Sequence, residues 1–518
     1  MAIPSVAPGV LHSPIYRIRG QRSRWQYPDE RLTPEHCEEL TNINLSEFGY
    51  ADVRGGYTKY NATALSEGRA VGIFQPTYTT GKQVIVVTPT KVHRDTGAAR
   101  TDITGALTLD TGGNDDRYRG AFIRDKLVLT NGIDETFWVS AAGDATALTG
   151  MPWSTCEDLI EHNGVLIALA PTEGGTKYTT RIRWCDINTF TFVPDIVVWP
   201  DANQYEMYEF GPPIIGAVSN FGRALIFKGD GLYPGRIEYS VGYLEFKPQD
   251  ELRGFSPIAK NSFISRPEFV WGVAREGAFI IVYEKDALTY KLITGDVQDD
   301  WNSISQDRLK YAVSWVREQE HQIHTLLSDK NTTAGLDLEM VWDWETGEIA
   351  FNDLTTTMNY GQQVWLSDVE YQLLGGIDNY LYQMPSGDTD NGTGVPWTIK
   401  MAPNDLGAPN RVKTIISLHT LYRYRSGQQT AVLTLFRDQG KQLSRTKTIT
   451  FSASSGTGPT WNDGTTKWND GTKWPEGTAM YNDDNFLVNR QALTVQPQWS
   501  GNDPASLLGC YYQYFLEE

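Results

Sequence analysis

Lys126-Leu127-Val128-Leu129-Thr130-Asn131-Gly132-Ile133-Asp134, followed by Thr136-Phe137-Trp138-Val139, decides the fold of this chain. An apolar, strand-forming run stops at Asn-Gly, where positive φ is cheap, and an aromatic-rich run returns from it. The stretch therefore predicts a β-hairpin. The same sentence is written again at Arg223-Ala224-Leu225-Ile226-Phe227-Lys228-Gly229-Asp230-Gly231 with Leu232-Tyr233, and at Ala278-Phe279-Ile280-Ile281-Val282-Tyr283-Glu284-Lys285-Asp286 with Leu288-Thr289-Tyr290. A fourth copy runs Tyr371-Gln372-Leu373-Leu374-Gly375-Gly376-Ile377-Asp378 with Tyr380-Leu381-Tyr382.

Weaker copies fall at Val92–Gly97, Arg183–Asn188 and Val341–Gly347. With Asp95, Asp134, Asp186, Asp230, Asp286, Asp343 and Asp378 as markers, the mean step is about 47 residues, a length that suits a four-stranded propeller blade. A set of β-sandwiches would also give short strands with regular turns. Repetition of the hairpin itself at blade period favours a degenerate β-propeller of six to eight blades over residues 61–400. Within it, Asp307–Val316 could be helix by propensity, and its second half is read as a strand.

Either side of this region the texture changes. Residues 1–60 read as an extended N-terminal arm with little core of its own, and one short helix is expected where Thr33 caps, Pro34 takes the first position and Glu35, Glu38 and Glu39 suit the positive end. Residues 401–518 contain runs at 412–418, 431–436, 445–451, 492–497 and 511–516 that predict a C-terminal β-sandwich. That last region carries Trp461-Asn462-Asp463-Gly464-Thr465, Trp468-Asn469-Asp470-Gly471-Thr472 and Trp474-Pro475-Glu476-Gly477-Thr478. Asn-Asp-Gly is turn chemistry, so each unit presents one Trp on a turn. Trp461, Asp463, Trp468, Asp470 and Trp474 are the candidate contact surface, for protein, sugar or DNA, with packing on the sandwich itself as the plainer alternative.

The whole composition is all-β: 16 Trp, 26 Tyr and 19 Phe, with 48 Gly and 25 Pro to break the strands. A net charge of −18 argues against a protein that grips phosphates, because such proteins place Lys and Arg on the contacting face. Cys37, Cys156, Cys185 and Cys510 have no zinc or disulfide spacing and are expected as buried thiols. His321 and His324 lie three apart, which on a strand points them to opposite faces and away from a shared metal. No nucleophile elbow, phosphate loop, zinc-helix motif or dinucleotide fingerprint is present, so no catalytic residue and no cofactor is expected. Met1–Gly9 lacks a basic n-region and an apolar h-region, and no run approaches 18 apolar residues. Synthesis in a cytoplasm and no transmembrane segment are the expectation.

Residues 42–61, Asn42-Ile43-Asn44-Leu45-Ser46-Glu47-Phe48-Gly49-Tyr50-Ala51-Asp52-Val53-Arg54-Gly55-Gly56-Tyr57-Thr58-Lys59-Tyr60-Asn61, resemble the opening of tail-nozzle or tail-hub (tail tube) proteins of short-tailed bacteriophages (podoviruses). There an Asn-rich arm precedes an Arg-x-Gly-Tyr segment where the propeller begins; Gly55 stands here where Pro is common. The resemblance implies a structural protein of the virion tail, assembled in the host cytoplasm as a homohexameric ring below the portal and its adaptor ring. Such a ring anchors a tail fibre, spike or needle and lets DNA pass through its lumen without sequence-specific binding. Arg17, Arg19, Arg22, Arg24, Trp25 and Tyr27 are then the candidate contacts of the arm. Two other classes fit the same sequence: a glycan- or receptor-binding propeller using the Trp turns as sugar platforms, and a propeller glycosidase, which needs carboxylates gathered at the channel mouth.

Overall fold

The computed structural model describes residues 10–22, 34–45, 51–109, 113–188, 193–195, 198–207, 211–240, 243–422, 429–438, 442–451 and 482–516. These are mostly β-strand. Contacts group the chain into two compact units, one of Met1–Gly56, Thr346–Asn352 and Asp388–Glu518, the other of Tyr57–Glu345 and Asp353–Gly387.

The second unit is a succession of antiparallel meanders. Gly72–Phe74, Val84–Val87, Val92–Asp95 and Arg100–Asp102 form the first. Arg119–Ile123, Lys126–Thr130, Phe137–Ser140 and Thr146–Ala147 form the second, with Leu129 opposite Phe137 in the expected hairpin. Asp158–His162, Val165–Leu169, Arg181–Trp184 and Gln204–Glu206 form the third. Ile214–Asn220, Arg223–Lys228, Gly231–Ser240 and Tyr243–Pro248 follow as the fourth, and Ile264–Ser265, Phe269–Val273, Ala278–Glu284 and Ala287–Leu292 as the fifth. Val313–Arg317, Gln322–Leu327 and Leu336–Asp343 make the sixth. In the last, residues 358–366 pair with Val369–Gly376, which pairs with Leu381–Met384, and the outer place is taken by Thr58–Lys59 from the beginning of the unit.

Alternation on a strand explains why these runs are apolar on both faces. Leu127 and Leu129 pack in a core shared with Ile85 and Val87 of the first sheet, whereas Val128 between them packs in a core shared with Leu159 and Ile167 of the third. Val218 and Phe227 of the fourth sheet share a core with Val270 and Phe279 of the fifth. Trp271 of the fifth stacks on Trp342 of the sixth, ring centroids 5.1 Å apart. Ile73 and Val84 of the first sheet share one core with Trp315 and Leu326 of the sixth and Leu373 and Leu381 of the last. Each sheet is thus covered by its neighbours, and the last by the first.

The marker aspartates do local work at the turns. Asp134 accepts hydrogen bonds from Asn131 Nδ2 at 2.7 Å and from Tyr118 Oη at 2.9 Å. Asp230 accepts from Tyr233 Oη at 2.8 Å, and Asp378 from Tyr382 Oη at 2.5 Å. Lys285 and Asp286 both have positive φ, 50° and 65°, as a type I′ turn requires. Asp186 departs from the pattern: it opens the strand Asp186–Asn188, which pairs with Val193–Asp195. Gln306–Tyr311 is a 3-10 turn, and Val313–Arg317 is the strand expected after it.

The other unit has two sheets. Ile43–Leu45, Ala51–Val53, Ser506–Leu516, Lys413–Tyr422 and Asn482–Ala492 form one, with Leu11–His12 and Tyr16–Arg17 also on Ser506–Leu516. Cys37–Thr41, Trp397–Met401, Val495–Gly501, Gln429–Arg437 and Gln442–Phe451 lie in order in the other. Leu418 and Tyr512 of the first sheet and Ile399, Leu433 and Trp499 of the second share one core, and Trp499 Nε1 donates to Thr420 Oγ1 at 3.0 Å. Ile18, Cys37, Leu40 and Ile43 are buried in that same core, so the described part of the arm is built into the C-terminal strands.

The helix expected after Thr33 is corrected by the strand Cys37–Thr41; Thr33 itself lies outside the described residues. Pairing with Trp397–Met401 buries Cys37 and Leu40, and that tertiary gain overrides the local helical signals. The four cysteines are buried and form no disulfide. No described helix is long and apolar enough to cross a membrane.

Candidate functional site

The segments leading into the first strands of successive sheets come together. Asp158, fully buried at the start of the third sheet's first strand, binds Arg119 Nε of the second at 3.1 Å and the Ala217 backbone N–H of the fourth at 3.0 Å. Arg119 Nη2 reaches the Ala217 carbonyl at 3.1 Å. Asn359, in the last sheet's first strand, donates through Nδ2 to the carbonyls of Ala70 and Asn114 at 2.8 and 2.9 Å.

At the end where these strands begin lies a cavity of about 470 Å³. Its wall takes Asp115, Asp116 and Arg117 from before the second sheet, Glu157 from before the third and Pro213 from before the fourth. Lys260 and Asn261, from the turn Lys260–Ser262 before the fifth, and Lys310 and Tyr311, from before the sixth, complete it with Lys177. Glu157 binds Lys177 through Oε2 and Lys260 through Oε1, both at 2.8 Å. Burial works to raise its carboxyl, but the Lys260 and Lys177 ammonium groups outweigh it and hold the pKa below the ordinary carboxylate value. Glu157 is thus a fixed anion rather than a proton donor.

Arg117 is 1% exposed. Its Nε donates to the Asn359 carbonyl at 2.7 Å, yet its Nη1 has no hydrogen-bond partner. Burial lowers its pKa to about 10. Arg117, Arg308 and Lys310 surround the Tyr311 ring at 5.3, 4.9 and 4.8 Å from its centroid.

The segment on which the tail-nozzle resemblance rests has a structural job. Arg54 is buried and bound to Asp390 through two hydrogen bonds, and its Nε donates to Asn42 Oδ1 at 2.8 Å. A Cβ on Gly56 would lie 2.1 Å from the Thr389 carbonyl oxygen. In the other unit, Tyr57 Oη is 2.6 Å from Thr355 Oγ1 and accepts the Thr356 backbone N–H at 2.8 Å.

Trp461, Asp463, Trp468, Asp470 and Trp474 lie outside the described residues, as do Arg24, Trp25 and Tyr27. Arg17 is exposed on the strand Tyr16–Arg17. Arg19 pairs with Glu35 at 3.0 Å and Arg22 with Glu348 at 3.5 Å, so these two arm residues are tied within their own unit rather than gathered as one cationic patch. The strand Gln322–Leu327 carries His324 but not His321, so the alternation expected of a shared strand does not apply to this pair. His321 sits at positive φ in the turn, and His324 is buried with Nδ1 2.8 Å from Glu339 Oε1. Among the described residues no group of His, Cys, Asp or Glu could hold a metal ion. The cavity residues escaped the sequence reading because they come from several segments far apart in the chain, and only Asp115-Asp116-Arg117 is a local charge cluster.

No family model and no curated protein matches the sequence. Among solved structures, the chain is similar to BBS1N in complex with ARL6DN soaked with lead, at 10% identity and a TM-score of 0.40, covering 65% of this chain and 99% of that one. The same complex soaked with mercury gives 10% identity and a TM-score of 0.38, covering 65% and 100%. This likeness assigns no activity or partner to the present chain.

Proposed function

We propose that the chain is a non-catalytic structural subunit of a short-tailed phage tail, forming the nozzle ring that extends the DNA channel below the portal and adaptor. Its larger unit is read as a seven-bladed β-propeller, one blade for each meander from residue 72 to residue 384, with Thr58–Lys59 on the last. The observation that carries this is the juncture of first and last. Thr58–Lys59 pairs with Leu381–Met384, and the first and last sheets share a core. A propeller closed in this way is a rigid body that leaves only short edges, which suits a part that must keep its shape while a genome moves past.

Two further points support the tail reading. The segment resembling nozzle proteins supplies Asn42 and Arg54 to a buried cluster with Asp390, and Gly56 to a close approach to Thr389, within one unit, and it supplies Tyr57 to the start of the other. A subunit of net charge −18, repeated about an axis, lines or rims a channel with negative potential and keeps DNA from adhering. A ring of identical subunits uses one heterologous contact that closes by rotation. Tail fibre, spike or needle attachment falls to loops and to the unit of Met1–Gly56, Thr346–Asn352 and Asp388–Glu518.

Native mass of the purified chain, alone and mixed with the portal-adaptor ring of the same phage, tests this. Assembly of six copies on the adaptor is expected. A chain that stays monomeric beside the adaptor and binds a glycan array contradicts it and favours a receptor-binding propeller.

A further inference from the structure

The cavity at the beginning of the first strands has an unbalanced charge. On a chain that is strongly acidic overall, its wall carries four cationic side chains, Arg117, Lys177, Lys260 and Lys310, against three carboxylates, Asp115, Asp116 and Glu157. The carboxylates are already engaged. Glu157 holds Lys177 and Lys260, Asp115 is 3.3 Å from Arg308, and Asp116 accepts the Gly113 backbone N–H at 2.6 Å.

Arg117 is left without a bonded counter-ion. Its described hydrogen bonds go to the neutral carbonyl and side-chain amide of Asn359, and Nη1 has none. A buried guanidinium that lacks an anion is costly, and one with an unmade hydrogen bond more so. Asn261, 6% exposed, also lines the cavity, and its Nδ2 amide is a donor that an anion can use. Arg308 and Lys310 also lie against the Tyr311 ring. Positive charge and unfilled hydrogen-bonding capacity therefore coincide in one roomy, partly apolar cavity walled also by Pro213 and Ile214.

We propose that this cavity binds a small oxyanion, a phosphate or carboxylate group, beside Arg117 with Lys310 and Asn261 as its outer contacts. Oxygen ligands of this kind supply the missing countercharge and accept from a guanidinium in its own plane. Because the wall joins segments before the second to the sixth sheets, a bound anion also ties those sheets together, and it acts as a stabilising ligand of the folded state.

Isothermal titration of the full chain with inorganic phosphate, with citrate and with chloride at matched ionic strength provides the test. Saturable binding of phosphate or citrate beyond chloride is expected, and the stronger of the two names the source of the oxyanion. Lys310→Ala, at an exposed position, is expected to fold normally and to weaken binding about tenfold, the effect of losing one charge-assisted contact. Asn261→Ala should also weaken it. Absence of binding by both anions above chloride overturns the site, as does binding that is unchanged in both variants.

Discussion

Arg54 and Asp390, 336 residues apart in the chain, meet as a buried fork in which Nη1 donates to Oδ1 at 2.8 Å and Nη2 to Oδ2 at 2.6 Å. Both side chains are fully shielded from solvent. Removing one partner strands the other charge without water, so Arg54→Ala is expected to cost about 3–5 kcal/mol. Replacing both by apolar residues of similar volume should cost much less. Urea unfolding of the two single variants and the double variant measures this, and a double variant as unstable as Arg54→Ala would show that the charge pair is not the source of the loss.

Gly56→Ala should be nearly as damaging, for a steric reason. The added Cβ would meet the Thr389 carbonyl oxygen at 2.1 Å and its carbon at 2.4 Å, and both are backbone atoms that cannot rotate away. A loss of about 3 kcal/mol is expected from forced overpacking, read as a lowered unfolding midpoint.

The strand Thr58–Lys59 predicts a third outcome. Tyr60 continues its pairing, with its backbone N–H donating to the Leu381 carbonyl at 2.8 Å. Tyr60→Pro removes that donor at the edge of the last sheet and is expected to cost about 1–3 kcal/mol. Tyr60→Phe keeps the N–H and should cost far less. Hydrogen exchange at Leu381–Met384 should accelerate in the proline variant alone.

Acidification should weaken the fold through His162. This ring is fully buried, with Nδ1 2.9 Å from Ser219 Oγ, and burial, with the charge of Arg236, lowers its pKa to about 4. Above about pH 6.5 the ring is neutral in both states and contributes nothing to the pH dependence. As pH falls below that value the unfolded chain takes up a proton that the folded one resists, so stability drops until about pH 4. His93, lowered mainly by its own burial, acts in the same direction. Urea midpoints at pH 7 and pH 5 for the wild type and His162→Asn should show a shallower slope in the variant.

The hairpins were legible because apolar alternation and turn chemistry are local: Lys126–Thr130 and Phe137–Ser140, Ala278–Glu284 and Ala287–Leu292 stand where their residues put them. What sequence could not supply was pairing between distant segments. Cys37–Thr41 carries helix-start signals, and only Trp397–Met401 makes it a strand. Thr58–Lys59 reads as the end of an arm, and its partner lies past residue 380. Asn482–Ala492 begins with Asn482, Asp483, Asp484 and Asn485, residues depleted in strands, and is recruited by Lys413–Tyr422. The cavity failed to show for the same reason, since Arg117, Glu157, Lys260 and Tyr311 are contiguous only after the sheets have packed.

Cryo-electron microscopy of the chain assembled on its adaptor ring tests the nozzle reading most directly. A six-fold ring continuous with the adaptor channel, with one seven-bladed propeller per subunit, is the predicted image. Isolated propellers without rotational order on the adaptor would contradict it.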